Sequence, residues 1–461
     1  MKVKKINVNK ILILFLSSHI FIWTFIPSIS NNNLPLDTIE HLAWGSDLQF
    51  GYGKHPPLSA WILEIFYQIF GNQDWAYYLL SQLFVGFSFF VIFIFSQDFL
   101  KKKIYNLISI LLLEGIYFYN FTTPEFNVNV CQIPFWVLTV YYCWKGIEES
   151  NIKYWLLFGV FASLGVLSKY LFIYLLIAID IFFIYLIINK KFDKKSLISL
   201  LSFFILLIPH LVWLADNNYT TITYAMHRTG IGEEEFLKAH ILNPIIFFGK
   251  QVLIIIPFLI MFVFIISKYK AKINLKDKKL LFLIIINLFP LILMFFTSLL
   301  MGVKIRTMWM TPFYLLFGVL FLYLFQKVIT FKKIKYSFSI FLFLFFFSPF
   351  VYFYISVTQS DKRTDYPGKE ISNIVQKKWN DNFSNKIELV SGDEWHGGNL
   401  SYHLESRPKW DNILENNKKN LALNPNSGFV MIGDIDILNK ICSGVFFETH
   451  DQGICMVGKK R

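Results

Sequence analysis

The sequence predicts an all-α polytopic membrane protein of about 11–13 transmembrane helices plus interfacial helices, followed by a small C-terminal α/β domain. Three observations predict this class: 55% of the 461 residues are hydrophobic, only 16% are charged, and the mean hydropathy is +0.49. Soluble domains average about 25% charged residues, so these values exclude a disordered chain and disfavour an ordinary cytosolic enzyme. Four cysteines in so long a chain exclude a disulfide scaffold.

Apolar runs that approach the roughly 20 residues of a transmembrane helix recur along the first 357 residues. We predict eleven spans from these runs, at residues 11–29, 76–97, 104–120, 130–144, 154–168, 170–188, 197–214, 245–266, 280–301, 308–326 and 336–357. The shorter run 58–70 is apolar on one side only, so we predict that it lies in the membrane interface. A short tilted span is the alternative for this run.

Lys and Arg residues indicate the orientation of these spans. With the N-terminal MKVKK inside, 23 of the 44 Lys and Arg residues lie on the inner side, 14 lie beyond residue 357, and seven remain for the outer loops. This is the positive-inside distribution, so the basic clusters report topology and we expect no nucleic acid partner. An odd number of spans places the C-terminal part outside. The first run lacks a following small-residue cleavage site, which favours an uncleaved span over a signal peptide.

The first predicted outer loop, residues 30–57, concentrates polar side chains. Asp37, Glu40 and His41 share one helical face by their i, i+3, i+4 spacing. The Leu-Ala-Trp that follows suggests an amphipathic helix on the membrane surface. His-Pro-Pro at 55–57 predicts an extended exit from the loop, because a residue before proline avoids the helical region.

Two further outer loops also carry polar residues. The second, FTTPEFNVN, contains Glu125, Asn127 and Asn129. The third, residues 215–244, contains Asp216, Tyr224, His227 and Arg228. Of these side chains, we treat Glu125, Asn127, His227 and Arg228 as candidates for contact with a substrate at the outer face.

Isolated basic residues stand in two tight outer turns, where the positive-inside distribution disfavours them. Lys169 lies next to Tyr170 in SKYLF, and Lys304 and Arg306 lie in GVKIRTMWM. Lysine side chains at such positions can extend toward lipid phosphates without any specific function. The alternative is a phosphate-binding cluster, in which arginine offers a bidentate fork and lysine a point charge.

The composition changes after the last predicted span, so we divide the chain into a membrane domain, 1–357, and an outer domain, 358–461. The runs KIELVSG, FVMIG and VFFET are strand-like, and residues 366–382 are helix-like. Cys442 and Cys455 flank two of these strands, and we expect them to pair in an oxidising compartment. We expect this domain to cover the membrane cavity or to meet the acceptor headgroup.

Other titratable residues are interpreted as structural. His19, His210 and His240 are isolated and are interpreted as packing or interface residues. Cys131 and Cys143 lie on one predicted membrane helix and are interpreted as packing residues. The sequence shows no spacing typical of metal ligands.

Acidic residues on an interfacial loop, together with basic residues at neighbouring helix ends, suggest an anionic lipid substrate and a general base. Asp37 and Glu40 would supply the base, and the cations would stabilise a departing phosphate. The alternative is structural, because acidic residues also stabilise a helix N-terminus through the macrodipole. Spacing alone does not decide between the two.

Four segments resemble family 39 glycosyltransferases, which include protein O-mannosyltransferases and the aminoarabinose transferase of lipid A. LDTIEHLAWGSDLQFGYGKHPPLSAWILEIFYQIFG resembles the first outer loop of that family, and TTPEFNVN resembles its second-loop acidic motif. GVLSKYLF is similar to its Lys-Tyr turn, and IRTMWMTPFYLLFG to its later Arg/Trp-Pro segment. The segments occur in the family's order and cover most of the membrane part.

The resemblance implies a C-type membrane glycosyltransferase whose site faces outward. The donor would be a polyprenyl-phosphate sugar, the reaction would invert the anomeric centre, and no metal or other cofactor would be required. Asp37 matches the catalytic Asp and would accept the proton of the acceptor. Glu40 and Glu125 are the further acidic candidates, with Glu125 at the family's second acidic position.

The same resemblance implies contacts to the donor or acceptor. His55 falls where the lipid A enzymes have lysine, and Lys54 falls where an acidic residue is common. The Lys-His pair therefore keeps a cation next to the proline, but the order of residue types differs from that of the lipid A enzymes. Lys169, Lys304 and Arg306 would hold the lipid phosphate. The full set of predicted substrate-binding residues is Lys54, His55, Asn127, Lys169, Tyr170, His227, Arg228, Lys304 and Arg306.

The abundance of Asn, Ile, Lys and Phe suggests an AT-rich bacterial genome, for which the carrier would be undecaprenyl phosphate. We expect a Gram-negative inner membrane, a cytoplasmic N-terminus, a periplasmic C-terminal domain and lipid A as acceptor. Proteins and polysaccharides are alternative acceptors. A lipid or solute transporter is a second class, for which the intramembrane acids Glu114 and Asp180 would be essential. A structural assembly factor is a third and would tolerate substitution of Asp37.

Overall fold

The computed structural model describes residues 7–230, 232, 234–267, 273–330, 332–412 and 427–461. Its α-helices are α1 (Val8–Ser30), α2 (Leu36–Gly45), α3 (Leu58–Phe70), α4 (Asp74–Ser96), α5 (Lys103–Leu111), α6 (Val128–Cys131), α7 (Ile133–Glu149), α8 (Ile152–Ser168), α9 (Ile173–Ile188), α10 (Ile198–Asp216), α11 (Thr220–Arg228), α12 (Asn243–Val263), α13 (Lys278–Met301), α14 (Phe317–Phe325), α15 (Ile334–Thr358), α16 (Gly368–Asn382), α17 (His396–His403) and α18 (Ile435–Ile441). Its strands are β1 (Ile387–Ser391), β2 (Lys409–Asp411), β3 (Gly428–Gly433), β4 (Val445–Thr449) and β5 (Gln452–Val457).

The described part of the chain forms a multi-pass helical membrane protein. Within it, seven helices are long and apolar enough to cross a membrane: Val8–Ser30, Asp74–Ser96, Tyr170–Ile188, Lys194–Asp216, Lys238–Val263, Lys278–Met301 and Ile334–Thr358. A pair of helices bent by 49°, Thr307–Tyr314 and Phe317–Phe325, would be an eighth span. All eight coincide with predicted spans.

The three remaining predicted spans correspond to shorter or broken helices, so fewer helices meet this criterion than the eleven predicted. Helices α7 and α8 have 17 residues each, which extends them over only about 26 Å. The run predicted at 104–120 breaks after Leu111 into two short 3₁₀ turns. Glu114 lies in the first of these turns and is buried.

A polar cluster occupies this break. The Glu114 carboxylate lies 2.7 Å from Nδ1 of His19 and accepts a hydrogen bond from Nδ2 of Asn120 at 3.2 Å. The His19 and Glu114 side chains are both buried. Each provides a hydrogen-bonding partner for the other, and burying either one without a partner would be energetically unfavourable. His19 is thus a buried structural residue, as the sequence suggested, and it forms a hydrogen bond in addition to packing against Phe15 and Phe89.

The chain divides into two compact units, and the first consists of Met1–Ile26, Phe50–Leu58 and Leu79–Phe353. Its helices pack closely through small and aromatic residues. A Cβ atom on Gly159 of α8 would lie 2.1 Å from the carbonyl oxygen of Ser199 on α10, so only glycine allows this approach. Phe182 of α9 packs edge-on against Phe282 of α13, with 5.0 Å between ring centroids.

The second unit consists of Pro27–Gln49, Ser59–Tyr78 and Tyr354–Arg461. It contains a five-stranded sheet with the order β2-β1-β3-β5-β4. Strands β2, β1 and β3 are parallel, whereas β5 is antiparallel to both β3 and β4. Buried residues of α16, among them Trp379, pack with inward-facing strand residues in its core. The small α/β domain predicted from the sequence is thus confirmed.

Cys442 and Cys455 form a disulfide, as predicted. The bond links the residue after α18 to the middle of β5. The two predicted packing cysteines, Cys131 and Cys143, are buried and carry free thiols.

Helix α2 forms where the sequence predicted a helix, but the prediction that it is an amphipathic surface helix is wrong. Every residue from Thr38 to Gly45 is buried. Helix α17 of the same unit covers it closely, since a Cβ atom on Gly398 would lie only 3.0 Å from Ile39 and 3.1 Å from Ala43. The run 58–70 forms α3 with the predicted bounds.

Candidate functional site

A cavity of about 290 Å³ in the first unit gathers residues from separate outer loops of the predicted topology. Five of the predicted substrate-binding residues line it: Lys54, His55, Lys169, Tyr170 and Arg228. The rest of its wall is largely aromatic and aliphatic. A cavity with apolar walls and a few grouped charges is typical of a site for an amphiphilic anion.

The segment that carries Lys54 and His55 is fixed by hydrogen bonds of its backbone. Tyr52 N donates to the carbonyl oxygen of His55 at 3.1 Å, and Oγ1 of Thr221 on α11 donates to the carbonyl oxygen of Tyr52 at 2.7 Å. The Lys54 ammonium lies 5.8 Å from the ring centroid of Tyr224, which also lines the cavity. This turn and α11 therefore place the two basic side chains in the cavity wall.

His210 of α10 joins the two chain segments that form this wall. Its Nδ1 lies 2.6 Å from the carbonyl oxygen of Phe50, and its Nε2 lies 2.7 Å from the hydroxyl of Tyr170. Because a carbonyl can only accept, Nδ1 donates to Phe50, and the Tyr170 hydroxyl, which can donate or accept, pairs with Nε2. The sequence assigned His210 a packing or interface role, because an isolated His in an apolar run gives no indication of partners as distant in the chain as Phe50.

Lys169 follows α8 and is only 6% exposed. Its Nζ donates to Oδ1 of Asn129 at 2.5 Å and lies 5.2 Å from the ring centroid of Trp309. An amide oxygen and the face of an indole ring both stabilise a buried ammonium. Asn129 is in turn held by Asn127, whose Oδ1 accepts from Asn129 N at 2.9 Å. Asn129 and Trp309 were not among the predicted site residues.

Glu125, Asn127 and His227 are not among the described residues that line the cavity. Asn127 caps α6 through its side-chain oxygen and donates from Nδ2 to Oε2 of Glu125 at 3.3 Å. His227 is exposed on α11, next to Arg228. Their predicted contacts with substrate stay predictions.

Lys304 and Arg306 are exposed and are tied to the cavity wall through their backbone. Lys304 N donates to the carbonyl oxygen of Thr229 at 3.0 Å, and Trp309 N donates to the carbonyl oxygen of Arg306 at 3.0 Å. Thr229 and Trp309 both line the cavity. The predicted role of the two basic side chains in holding phosphate stays a prediction.

Asp37 and Glu40 belong to the second unit, on α2. Asp37 lies in the first turn, where a negative charge interacts favourably with the helix macrodipole. Its carbonyl oxygen is hydrogen-bonded to Nδ1 of His41, and the His41 ring packs edge-on against Trp44 at 4.8 Å. Glu40 is 9% exposed. The catalytic roles of both acids stay predictions.

Among the described residues, no group of three or more His, Cys, Asp and Glu side chains is arranged to hold a metal ion. That the reaction requires no metal or other cofactor stays a prediction. The transporter candidate Asp180 lines a separate cavity of about 300 Å³, whereas Glu114 belongs to the buried cluster with His19.

The helical spans and the small sheet domain together define a polytopic membrane protein with the fold of ArnT. The structure of ArnT from Cupriavidus metallidurans bound to undecaprenyl phosphate matches with a TM-score of 0.64 and 10% identity, over 98% of each chain. The apo structure of the same protein gives 0.63 and 9%, over 97% of this chain and 98% of that one. At this identity the likeness shows the fold.

Residues 54–213 match the family model described as dolichyl-phosphate-mannose-protein mannosyltransferase, which confirms the family resemblance predicted from the sequence. A stretch of 159 residues is 28% identical to the undecaprenyl phosphate-alpha-4-amino-4-deoxy-L-arabinose arabinosyl transferase of Wigglesworthia glossinidia brevipalpis. This stretch covers 33% of the chain and 27% of that relative, so the match spans about a quarter of the relative's length.

Proposed function

We propose that the protein is an inverting glycosyltransferase that moves a sugar from a polyprenyl phosphate to lipid A. The observation that carries this proposal is the cavity lined by Lys54, Lys169 and Arg228 between aromatic side chains. Lysine and arginine bind phosphate through charge-assisted hydrogen bonds, and apolar walls suit a prenyl chain. The relatives support it, because one structure of this fold was determined with undecaprenyl phosphate and the curated relative is named for that donor class.

In the proposed reaction, a hydroxyl or amine of the acceptor attacks the anomeric carbon of the sugar. The bond from that carbon to the phosphate oxygen breaks, and the polyprenyl phosphate leaves with the electron pair. The carboxylate of Asp37 takes the proton of the attacking group as general base. A single displacement inverts the anomeric centre. Lys54, Lys169 and Arg228 stabilise the charge that develops on the leaving phosphate, so no metal cofactor is needed.

The other predicted residues have supporting roles in this proposal. Glu125 and Asn127 orient the donor or acceptor, and Tyr170 contributes to the wall of the phosphate site. His227, Lys304 and Arg306 attract the anionic lipid from the rim. Glu40 adds negative charge to the helix that carries Asp37.

We place the protein in a bacterial inner membrane, with the N-terminus in the cytoplasm and the C-terminal domain in the periplasm. The uneven distribution of Lys and Arg supports this orientation, and the composition supports a bacterial host. The carrier lipid is then undecaprenyl phosphate. A protein hydroxyl or a polysaccharide would use the same donor site and the same base.

The test uses purified protein in nanodiscs with a panel of undecaprenyl-phosphate sugars and lipid A. Asp37→Asn removes the proposed base, and Asp436→Asn, on the exposed side of α18, is the matched control. Lys169→Met removes one phosphate contact, and the exposed Lys153→Met at the opposite end of α8 is its control. Mass spectrometry follows lipid A, and a binding assay follows donor affinity.

We expect a mass gain of one sugar on lipid A with wild type and both controls. Asp37→Asn should bind donor but transfer at least about 100-fold more slowly, the effect of losing a general base. Lys169→Met should bind donor about 10-fold more weakly, the loss of one charge-assisted hydrogen bond. Full activity of Asp37→Asn would refute its role. If wild type neither transfers a sugar nor binds any donor of the panel, the transporter becomes the better hypothesis.

A further inference from the structure

Helix α2, which carries Asp37, is held by the C-terminal part of the second unit, and the contacts begin before the helix. The backbone N–H groups of Asn32 and Asn33 both donate to the carbonyl oxygen of Thr364, each at 3.0 Å. Further along, the glycine at position 398 lets α17 pack directly on Ile39. Residues more than 300 positions away in the chain therefore fix the N-terminal half of α2.

Arg407 makes the corresponding contact at the other end of α2. One nitrogen of its guanidinium donates to the carbonyl oxygen of Leu42 at 2.6 Å and to Oε2 of Glu64 on α3, also at 2.6 Å. The other terminal nitrogen donates to Oγ of Ser401 at 3.0 Å. The Cζ atom of Arg407 lies 4.2 Å from the ring centroid of Tyr67. One side chain thus links α2, α3 and α17.

Three properties distinguish Arg407 from an exposed residue that forms a surface salt bridge. The Arg407 and Glu64 side chains are only 11% and 9% exposed, so their ion pair is shielded from water. A cation at the carbonyl end of a helix also interacts favourably with the helix macrodipole. In addition, Arg407 has φ +48°, a left-handed conformation that non-glycine residues rarely adopt and that persists only where surrounding contacts enforce it.

Residues shortly after Arg407 also bind the chain segment that follows α2. Trp410 N donates to Oγ of Ser46 at 2.8 Å, and Nζ of Lys409 donates to Oδ1 of Asp47 at 2.8 Å. Burial tends to raise the pKa of Asp47, but hydrogen bonds from Lys409 and Gln49 hold that pKa below its usual value. Both ends of α2 are therefore fixed by the same C-terminal part of the chain.

We propose that Arg407 is a positioning residue that fixes α2, and with it the carboxylate of Asp37, for the proton transfer. This inference rests on the proposed function of Asp37 as base. It assigns the C-terminal domain to the transfer step, whereas donor affinity belongs to the cavity of the first unit.

The experiment compares Arg407→Met, Arg407→Lys and Glu64→Gln with the exposed Lys440→Met on α18 as control. Arg407→Met removes the fork and the charge, whereas Arg407→Lys keeps the charge but loses the two-nitrogen geometry. The measurements are kcat, the Kd for undecaprenyl phosphate, and hydrogen–deuterium exchange of the α2 amides. Each Arg407 variant is also combined with Asp37→Asn.

We expect Arg407→Met to lower kcat by about 10- to 100-fold, the scale of a 1 Å misplacement of a catalytic group, with a Kd within about 2-fold of wild type. Arg407→Lys and Glu64→Gln should lose less, and exchange in α2 should accelerate in all three. Because Arg407 acts through Asp37, Arg407→Met should add little to the loss already caused by Asp37→Asn. Lys440→Met should match wild type.

Several results would overturn the inference. One is a normal kcat in Arg407→Met with an active wild type, and another is unchanged exchange in α2. An equal loss from Arg407→Met in the wild-type and Asp37→Asn backgrounds would show that it does not act through Asp37. If Arg407→Met does not fold, Arg407→Lys and Glu64→Gln carry the same comparison. Absence of transfer by wild type would refute the proposed function instead, and the exchange data would still test the hold on α2.

Discussion

Gly51 provides a direct test of how the cavity wall is built. It belongs to the segment Phe50–Leu58, which carries Lys54, and it lies against Trp213 of α10. A Cβ atom at Gly51 would stand 2.2, 2.4 and 2.8 Å from three atoms of the Trp213 ring. We therefore predict that Gly51→Ala displaces this segment and weakens donor binding.

The size of the effect follows from these distances. Carbon atoms in contact lie about 3.5–4.0 Å apart, so the ring or the segment must move by more than about 1 Å. Overpacking of this kind typically costs about 1–3 kcal/mol. The Trp213 ring is stacked on His210 at 6.2 Å, and the neighbouring Tyr52 is anchored by Thr221, so neither side moves freely. A shift transmitted to Lys54 should weaken donor binding by about 10- to 100-fold, or about 1.4–2.8 kcal/mol.

The matched control lies two residues further along. Gly53 belongs to the same segment, and a Cβ atom there would meet nothing within 4 Å. Gly53→Ala should therefore bind undecaprenyl phosphate in nanodiscs with the wild-type Kd, whereas Gly51→Ala should not. Thermal unfolding should show a lower Tm for Gly51→Ala only. Equal affinity of Gly51→Ala and wild type, or equal impairment of the two variants, would refute this account of the wall.

Three further predictions concern the second unit. The Cys442–Cys455 disulfide closes a loop of 13 residues, so replacing both cysteines with serine should cost about 2–4 kcal/mol, measured by urea unfolding; an unchanged midpoint would contradict this. Burial, with the charge of Lys369, lowers the pKa of His403 to about 4, so stability should fall as the pH drops from about 6.5 toward 4, by up to about 3 kcal/mol. His403→Gln should flatten this fall in Tm, and parallel curves for variant and wild type would rule the mechanism out. Trp379 is 1% exposed, and Trp379→Ala should lower the unfolding free energy by about 3–5 kcal/mol, whereas a loss below about 1 kcal/mol would mean that the core repacks.

The fold was predictable where a local pattern decides the structure. Apolar length predicted the positions of the long spans, and short strand-like runs between turn residues predicted three of the five strands. The environment of α2 was not predictable, because Gly398 and Arg407, which contact it, lie more than 300 residues away in the chain. An isolated helix with that sequence would be amphipathic, and only tertiary contacts make it buried on all sides.

The break in the run predicted at 104–120 has a similar origin. Apolar composition there is continuous enough for a span, and one acid does not by itself indicate where a helix stops. The position of the break coincides with the partners of Glu114, which are His19 on α1 and Asn120 in the following loop. Pairing across nearly 100 residues leaves no local pattern in the sequence.

The sequence predicted only part of the candidate site, and the residues that it identified are mostly the charged ones. Charged side chains in outer loops stand out against an apolar chain, so Lys54, Lys169 and Arg228 could be found. Asn129 was noted in the polar second loop but not chosen as a site residue, and His210 was assigned a packing or interface role, because each acts by contacting a residue that lines the cavity. Their importance depends on distances that sequence spacing does not encode.

The contrast between clustered and isolated lysines explains why charge distribution was informative. Lys101, Lys102 and Lys103 form a cluster and are all exposed, so water solvates their charges. Lys169 is isolated in the sequence and is 6% exposed, and burying an ammonium is costly unless the protein supplies compensating groups. Asn129 and Trp309 supply two such groups, an amide oxygen and the face of an indole ring. A lysine held in this way is fixed in a largely apolar wall, where its attraction for an anionic lipid is stronger than in water.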